Sequence, residues 1–228
     1  MRIRGKFTKQ GKVKFVGHLD TMRLFQRAIK VARIPIAYSQ GFNPHALVYF
    51  AMPLSVGVSS VGEYIDIVTD QDVDIEETKA RLNEVLVNEI QILDMYEVAE
   101  RAESLMSMVG AADYQITIPK DSVESDFEKY FDDQLAKDGL LVQKKSKKKF
   151  IEVDVKPLVM NYSIEITEND YIINLNLYAG SKQNLSPELL LKAVLGAKLE
   201  EIPYCIERIE LYAEKDDQFT PIYTCERV

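Results

Sequence analysis

Residues 2–98 pass twice from a two-residue to a 3.6-residue hydrophobic period and back, and that alternation narrows the available folds more than any other feature. Residues 2–8 set cationic side chains (Arg2, Arg4, Lys6) against apolar or small ones (Ile3, Gly5, Phe7), the pattern of a strand. Gln10-Gly11 turns the chain into a short extended piece over 13–16. From His18 the spacing becomes helical and stays so to about Arg33. Met22, Leu24, Phe25, Ala28, Ile29, Val31 and Ala32 share one arc, and Arg23, Gln26, Arg27, Lys30 and Arg33 take the remainder. Pro35 stops this helix, because the residue before a proline avoids the helical region. Strands are predicted over 36–39, 47–52 and 63–68, with a loop at 53–61. A second helix follows Asp74, with Ile75, Thr78, Leu82, Val85 and Leu86 at helical spacing, and a strand over 90–98 completes the set. The order β-α-β-(β)-β-α-β is that of a ferredoxin-like, split βαβ unit with antiparallel strands.

The order recurs downstream. Residues 99–110 have the composition of a linker. Then come a strand at 114–118, an acidic helix over 123–136, strands at 140–143, 150–155, 158–167 and 171–178, and a last strand at 206–213. Ser186-Pro187 opens a helix that runs to Leu195, with serine as cap and proline in the first turn. The expectation is an α+β protein of two tandem ferredoxin-like units, residues 1–98 and 111–228.

The charge is unevenly placed. Residues 1–50 hold ten Lys/Arg against one acid, Asp20, a net of +9, whereas 51–228 carry −17 in a chain of net charge −8. Such segregation indicates either a cationic face for an anionic partner or internal pairing of the two halves. No apolar run approaches the ~20 residues that span a bilayer, and Met1–Lys6 lacks the apolar core of a signal peptide. Cys205 and Cys225 form neither a disulfide framework nor a metal motif. These features predict a cytoplasmic chain with no membrane segment, no metal and no cofactor of its own.

Two constellations carry potential chemistry. His18 and His45 are the chain's two imidazoles, the side chains best suited to proton transfer near neutrality. Either could serve a metal-independent ribonuclease, with Lys14, Tyr38 or Tyr49 as partner; either could equally cap a helix or tie down its own loop. The second constellation is for binding. Arg23, Arg27, Lys30 and Arg33 form an almost wholly cationic helix face fit for successive phosphates. The loop from Ser39 to His45 offers Phe42 for stacking on an unpaired base and Asn43 for a base edge. The lysine run at 144–149 is a further basic site or a solvated hairpin tip.

Three segments together resemble a bacterial radical-SAM-linked domain-of-unknown-function family. They are Gly17-His18-Leu19-Asp20-x-x-Arg23 with Arg27-Ala28, Pro35-Ile36-Ala37-Tyr38-Ser39-x-Gly41-Phe42-Asn43-Pro44-His45, and Phe50-Ala51-x-Pro53-Leu54-x-x-Gly57 with Glu63-Tyr64-x-Asp66. Gly17 stands where that family more often has serine, and Ala46 where it has proline. Members are encoded beside, or fused to, a cobalamin-binding-type radical SAM protein. The resemblance implies such a partner enzyme, and marks Ser39, Phe42, Asn43 and His45 as part of a signature loop. The resulting expectation is an accessory, substrate-binding domain that presents RNA or an RNA–protein substrate on its basic face. A pure protein–protein adaptor is the further alternative.

Overall fold

The alternating segments form strands and the 3.6-period segments form helices. The computed structural model describes residues 1–99, 101–146, 149–216 and 218–227, without the side chains of 145 and 146. In chain order the elements are β1 (Arg2–Lys9), α1 (His18–Val31), β2 (Val48–Phe50), β3 (Ser59–Val68), α2 (Ile75–Val85), β4 (Ile92–Val98) and the short α3 (Leu105–Met108). There follow β5 (Val109–Pro119), α4 (Phe127–Ala136), β6 (Leu141–Ser146), β7 (Lys149–Asp154), β8 (Val159–Ile166), β9 (Asp170–Tyr178), α5 (Pro187–Leu195), β10 (Cys205–Lys215) and β11 (Gln218–Pro221).

The chain is a mixed α/β protein with predominantly antiparallel strand pairing, and it divides into two compact units. Unit 1 comprises Met1–Val109 and Arg208–Val228, and unit 2 comprises Gly110–Glu207. The expected second domain, 111–228, therefore loses its last strand to the first. The cause is polar pairing. Arg208 donates to Glu63, and Tyr64 donates to Glu210 (2.6 Å), so the start of β10 is tied to β3.

In unit 1, β1 pairs antiparallel with both β3 and β4, β2 pairs antiparallel with β3, and β10 also borders β3. Ile3 and Phe7 of β1, Ile65 and Ile67 of β3, and Ile92 and Met95 of β4 face Phe25, Ala28 and Ile29 of α1 and Leu82 of α2 in one apolar core. Phe7, Phe25 and Phe50 meet edge to face, with centroids 4.8–6.0 Å apart. Alternate residues point the other way. That opposite face holds Arg2, Arg4 and Lys6 against Asp66 and Glu210.

Local departures from the sequence reading have identifiable causes. Of residues 13–16 only Val16 is extended; Gly11–Phe15 forms a 3-10 turn, which Gly11 permits by taking φ +54°. Residues 36–39 make only isolated bridges, Ile36 to Thr69 and Tyr38 to Ala46. Strand β3 begins at Ser59, inside the loop expected over 53–61, so Gly62 lies within a strand. A Cβ there would stand 2.3 Å from the Ile209 carbonyl oxygen, so only glycine admits β10 this closely. The linker expected over 99–110 is partly structured. Ser104 caps α3 by accepting from Ser107 N–H, and Leu105 and Met108 are buried.

In unit 2, β5 pairs with β9 and β9 with β8, all antiparallel, while β6 and β7 form a separate hairpin. Every second residue of β9 is buried, including Tyr171, Ile173, Leu175 and Leu177. Phe127, Phe131 and Leu135 of α4 and Leu190, Leu191 and Val194 of α5 are buried as well. Lys147 and Lys148 of the lysine run lie outside the described residues.

Candidate functional site

Internal pairing accounts for part of the N-terminal positive charge. Arg4 and Asp66 are both fully buried. Arg4 Nε donates to Asp66 Oδ1 (2.8 Å), and Arg2 Nε donates to Asp66 Oδ2 (3.0 Å). Lys6 Nζ lies 2.6 Å from Glu210, and Glu226 stands 3.6 Å from Arg4. Burial pushes the Arg4 guanidinium down, but the Asp66 hydrogen bond and charge more than restore it, leaving it above its ordinary value. Arg2, Arg4 and Lys6 are thus structural.

The helix-side cations differ. Arg23, Arg27, Lys30 and Arg33 are all exposed. Arg23 pairs with Asp20 one turn earlier (2.8 Å), an exposed contact worth about 0.3–0.5 kcal/mol. Arg27 and Lys30 pair with no acid among the described residues. Arg33 ends the helix in an unusual way. Ile34 N–H bonds to Ile29 O and Arg33 N–H to Lys30 O, the double bond of a Schellman cap, with Arg33 at φ +53° where glycine is the usual occupant. Arg81 of α2 donates to the Ala32 and Arg33 carbonyls and satisfies that helix end.

The signature loop is held shut at its neck. Ser39 Oγ and His45 Nδ1 are 2.8 Å apart, His45 N–H donates to Ser39 Oγ (3.0 Å), and Ser39 N–H donates to His45 O (2.9 Å). Gly41 turns the tip at φ +122°. Asn43 and Pro44 are exposed, and Phe42 stands wholly in solvent at 112% relative exposure.

His18 is elsewhere. Its ring packs edge-on to Phe50 (5.7 Å) beside Lys9, Thr21 and Glu63, in a cavity of about 10 Å³. That is room for about one water. Burial pushes the imidazole below its ordinary value, Glu63 draws it up and Lys9 draws it down again, so it tends to be neutral. Both Glu63 oxygens accept from Arg208 Nη1 (3.0 and 3.2 Å), and the buried Lys9 ammonium donates to Val16 O (2.6 Å). No hydrogen bond, ring contact or cavity joins His18 to His45 among the described residues. Tyr38 and Tyr49 are exposed, Lys14 lies over the Phe15 ring (5.3 Å), and none has a described contact with either histidine. The two histidines thus lie at separate places. The residues expected to bind are, Ser39 apart, exposed on unit 1.

The burial of the polar residues Lys9, Glu63, Tyr64, Asp66, Arg208 and Glu210 was not foreseen, although three of them belong to the signature segments. Their signal was present. A strand reading Glu63-Tyr64-Ile65-Asp66-Ile67 puts polar groups on both faces of an otherwise apolar segment, which requires partners inside.

A family model described as "Uncharacterized protein conserved in bacteria (DUF2344)" matches residues 2–187. The chain belongs to this family. Its matched region covers the whole of α1, the clasped loop and β3, and stops at the start of α5. No curated protein matches the chain. Among solved structures, a chain from "Crystal Structure of a Cbf5-Nop10-Gar1 Complex" is 10% identical with a TM-score of 0.49; the match covers 92% of this chain and 48% of that one. The DUF2344 chain thus spans about half the length of that relative. An unknown protein from Galdieria sulphuraria is 13% identical with a TM-score of 0.25, covering 91% of this chain and 97% of that one. At those scores neither likeness speaks for function. No described helix is long and apolar enough to cross a membrane, and no group of three His, Cys, Asp or Glu among the described residues is placed to hold a metal ion.

Proposed function

We propose that this DUF2344 chain is a binding module that holds RNA, alone or in an RNA–protein substrate, for a separate enzyme. The observation that carries this reading is Phe42. Burying a phenylalanine stabilises a fold by about 1.5–3 kcal/mol, yet this one is fully exposed on a loop that its own hydrogen bonds close. A preordered aromatic in water is suited to stacking on an unpaired base, worth about 1–3 kcal/mol per base. Arg27 and Lys30 supply phosphate contacts. Arg33 supports the same reading, since it occupies a left-handed cap position at which glycine would be less strained. The partner enzyme is the radical SAM protein that the family resemblance implies, with the chain in the cytoplasm.

We also read the scaffold as ferredoxin-like units in tandem. Unit 1 has β3 between β1 and β2 and β1 between β3 and β4, with α1 and α2 as crossovers. Unit 2 supplies three strands in the corresponding order, β5-β9-β8.

The test is filter binding of the full chain to a stem-loop RNA and to its fully paired counterpart. The stem-loop should bind more tightly. F42A should weaken it by roughly fivefold to a hundredfold, and R27E/K30E should weaken both RNAs and flatten the salt dependence. Undetectable binding, or affinity unchanged in both variants, overturns the proposal. Metal-free cleavage of the RNA that is lost in H18A and H45A would instead favour the ribonuclease alternative.

A further inference from the structure

Unit 2 contains a cavity of about 450 Å³ between the start of α4 and the end of α5. That is within the size range of small-molecule sites. Its floor is apolar: Phe127, Leu195 and the half-buried Ile202. Phe127 is fixed by the rings of Tyr171 (5.1 Å) and Phe131 (6.1 Å). The wall is Tyr130, whose hydroxyl donates to Val194 O (2.9 Å) and holds the ring in place.

Around this floor stand four carboxylates, Asp121, Glu124, Asp126 and Glu201, against one ammonium, Lys198. Lys198 lies 3.2 Å from Glu124, so the remaining charge is carried by Asp121, Asp126 and Glu201. None of those three carboxylates has a hydrogen-bond or ion-pair partner among the described residues. Asp126 occupies the N-cap position of α4 without making the capping bond, so helix capping does not account for it. The acids do not converge on a point either, since they form no metal-type group. Separated carboxylates over an apolar floor suit a molecule with separated cationic centres on an apolar chain.

We propose that this cavity binds a linear polyamine-class cation, its methylene segments on Phe127, Leu195 and Ile202 and its ammonium groups at Asp126 and Glu201. This site is separate from the loop of unit 1, and the proposal stands or falls independently of RNA binding.

The experiment is calorimetric titration of the full chain with spermidine, with magnesium ion at matched ionic strength as comparison. Saturable one-to-one binding of spermidine is expected, with no comparable response to magnesium. D126N/E201Q should weaken it about tenfold, as expected for two exposed ion pairs, whereas E165Q/E168Q, which removes exposed acids elsewhere in unit 2, should leave it intact. If D126N/E201Q shifts the melting temperature, I202K replaces it, since a lysine there places a competing ammonium at the floor. Absence of saturable binding, an equal response to magnesium, equal weakening by the control pair, or full affinity in the cavity variants overturns the proposal.

Discussion

Removing the Asp66 carboxylate should destabilise unit 1 more than any surface substitution. Four hydrogen bonds end on it: Arg2 Nε and Nη2 at 3.0 and 2.5 Å, and Arg4 Nε and Nη2 at 2.8 and 3.1 Å. The two arginines would not suffer equally in D66A. Arg2 keeps the carbonyls of Ala102 and Glu103. Arg4, at 0% exposure, keeps only Met108 Sδ at 3.5 Å and Glu226 at 3.6 Å. The dominant cost is therefore one buried, nearly unpaired guanidinium, about 3–5 kcal/mol. Measured against typical domain stabilities of about 5–15 kcal/mol, that takes a large part of the total. Hydrogen exchange of the β1 and β3 amides under increasing urea reads the loss within unit 1 itself. The double variant R4M/D66L removes both charges and should recover most of it, because desolvation of the pair offsets much of its attraction. A D66A cost below about 1 kcal/mol, or a double variant no better than D66A, would refute the reasoning.

Three further outcomes follow from particular residues. G62A should cost about 3 kcal/mol, the upper end for overpacking, because the obstructing atom is the Ile209 carbonyl oxygen of β10; a urea midpoint within experimental error of the parent would sink this. His18 is harder to protonate when folded than unfolded. The associated stability is present above the unfolded value of about 6.5 and is lost as pH falls through the lowered folded value. Urea midpoints at about pH 7.5 and about pH 5 should accordingly converge in H18Q relative to the parent, and an unchanged difference would count against it. R33G should raise stability by about 0.5–1 kcal/mol by relieving a left-handed arginine while weakening RNA binding; a gain in both would remove Arg33 from the interface.

How much of this was legible beforehand depends on the range of the interaction. Helix α1 and strand β9 were visible because their periods are local properties of Phe25, Ala28 and Ile29, or of Tyr171, Ile173 and Leu175. The loop around Phe42 was visible through its Gly41 and Asn43-Pro44 punctuation, whereas the exposure of the ring was not. The destination of β10 was not. Its pairing with β3 rests on Arg208 and Glu210 meeting Glu63 and Tyr64 across 145 and 146 positions, and nothing local announces such a distance. For the same reason the cationic alternation of Arg2, Arg4 and Lys6 left open whether those charges face a partner or pair within the chain. A half-buried strand and a fully buried one with charge partners share the same local pattern, and only the identity of the opposing residues separates them.

The return of β10 to unit 1 has a consequence for synthesis. Unit 2 leaves the ribosome complete at Glu207, whereas unit 1 still lacks Arg208–Val228. Until those residues emerge, one border of β3 has no β10 partner, and Glu63 and Tyr64 await Arg208 and Glu210. The earliest-made half of the protein is therefore the last to acquire its native charge pairs. A nascent chain stalled at Glu207 would expose an adhesive strand border in unit 1 after all of unit 2 has been made.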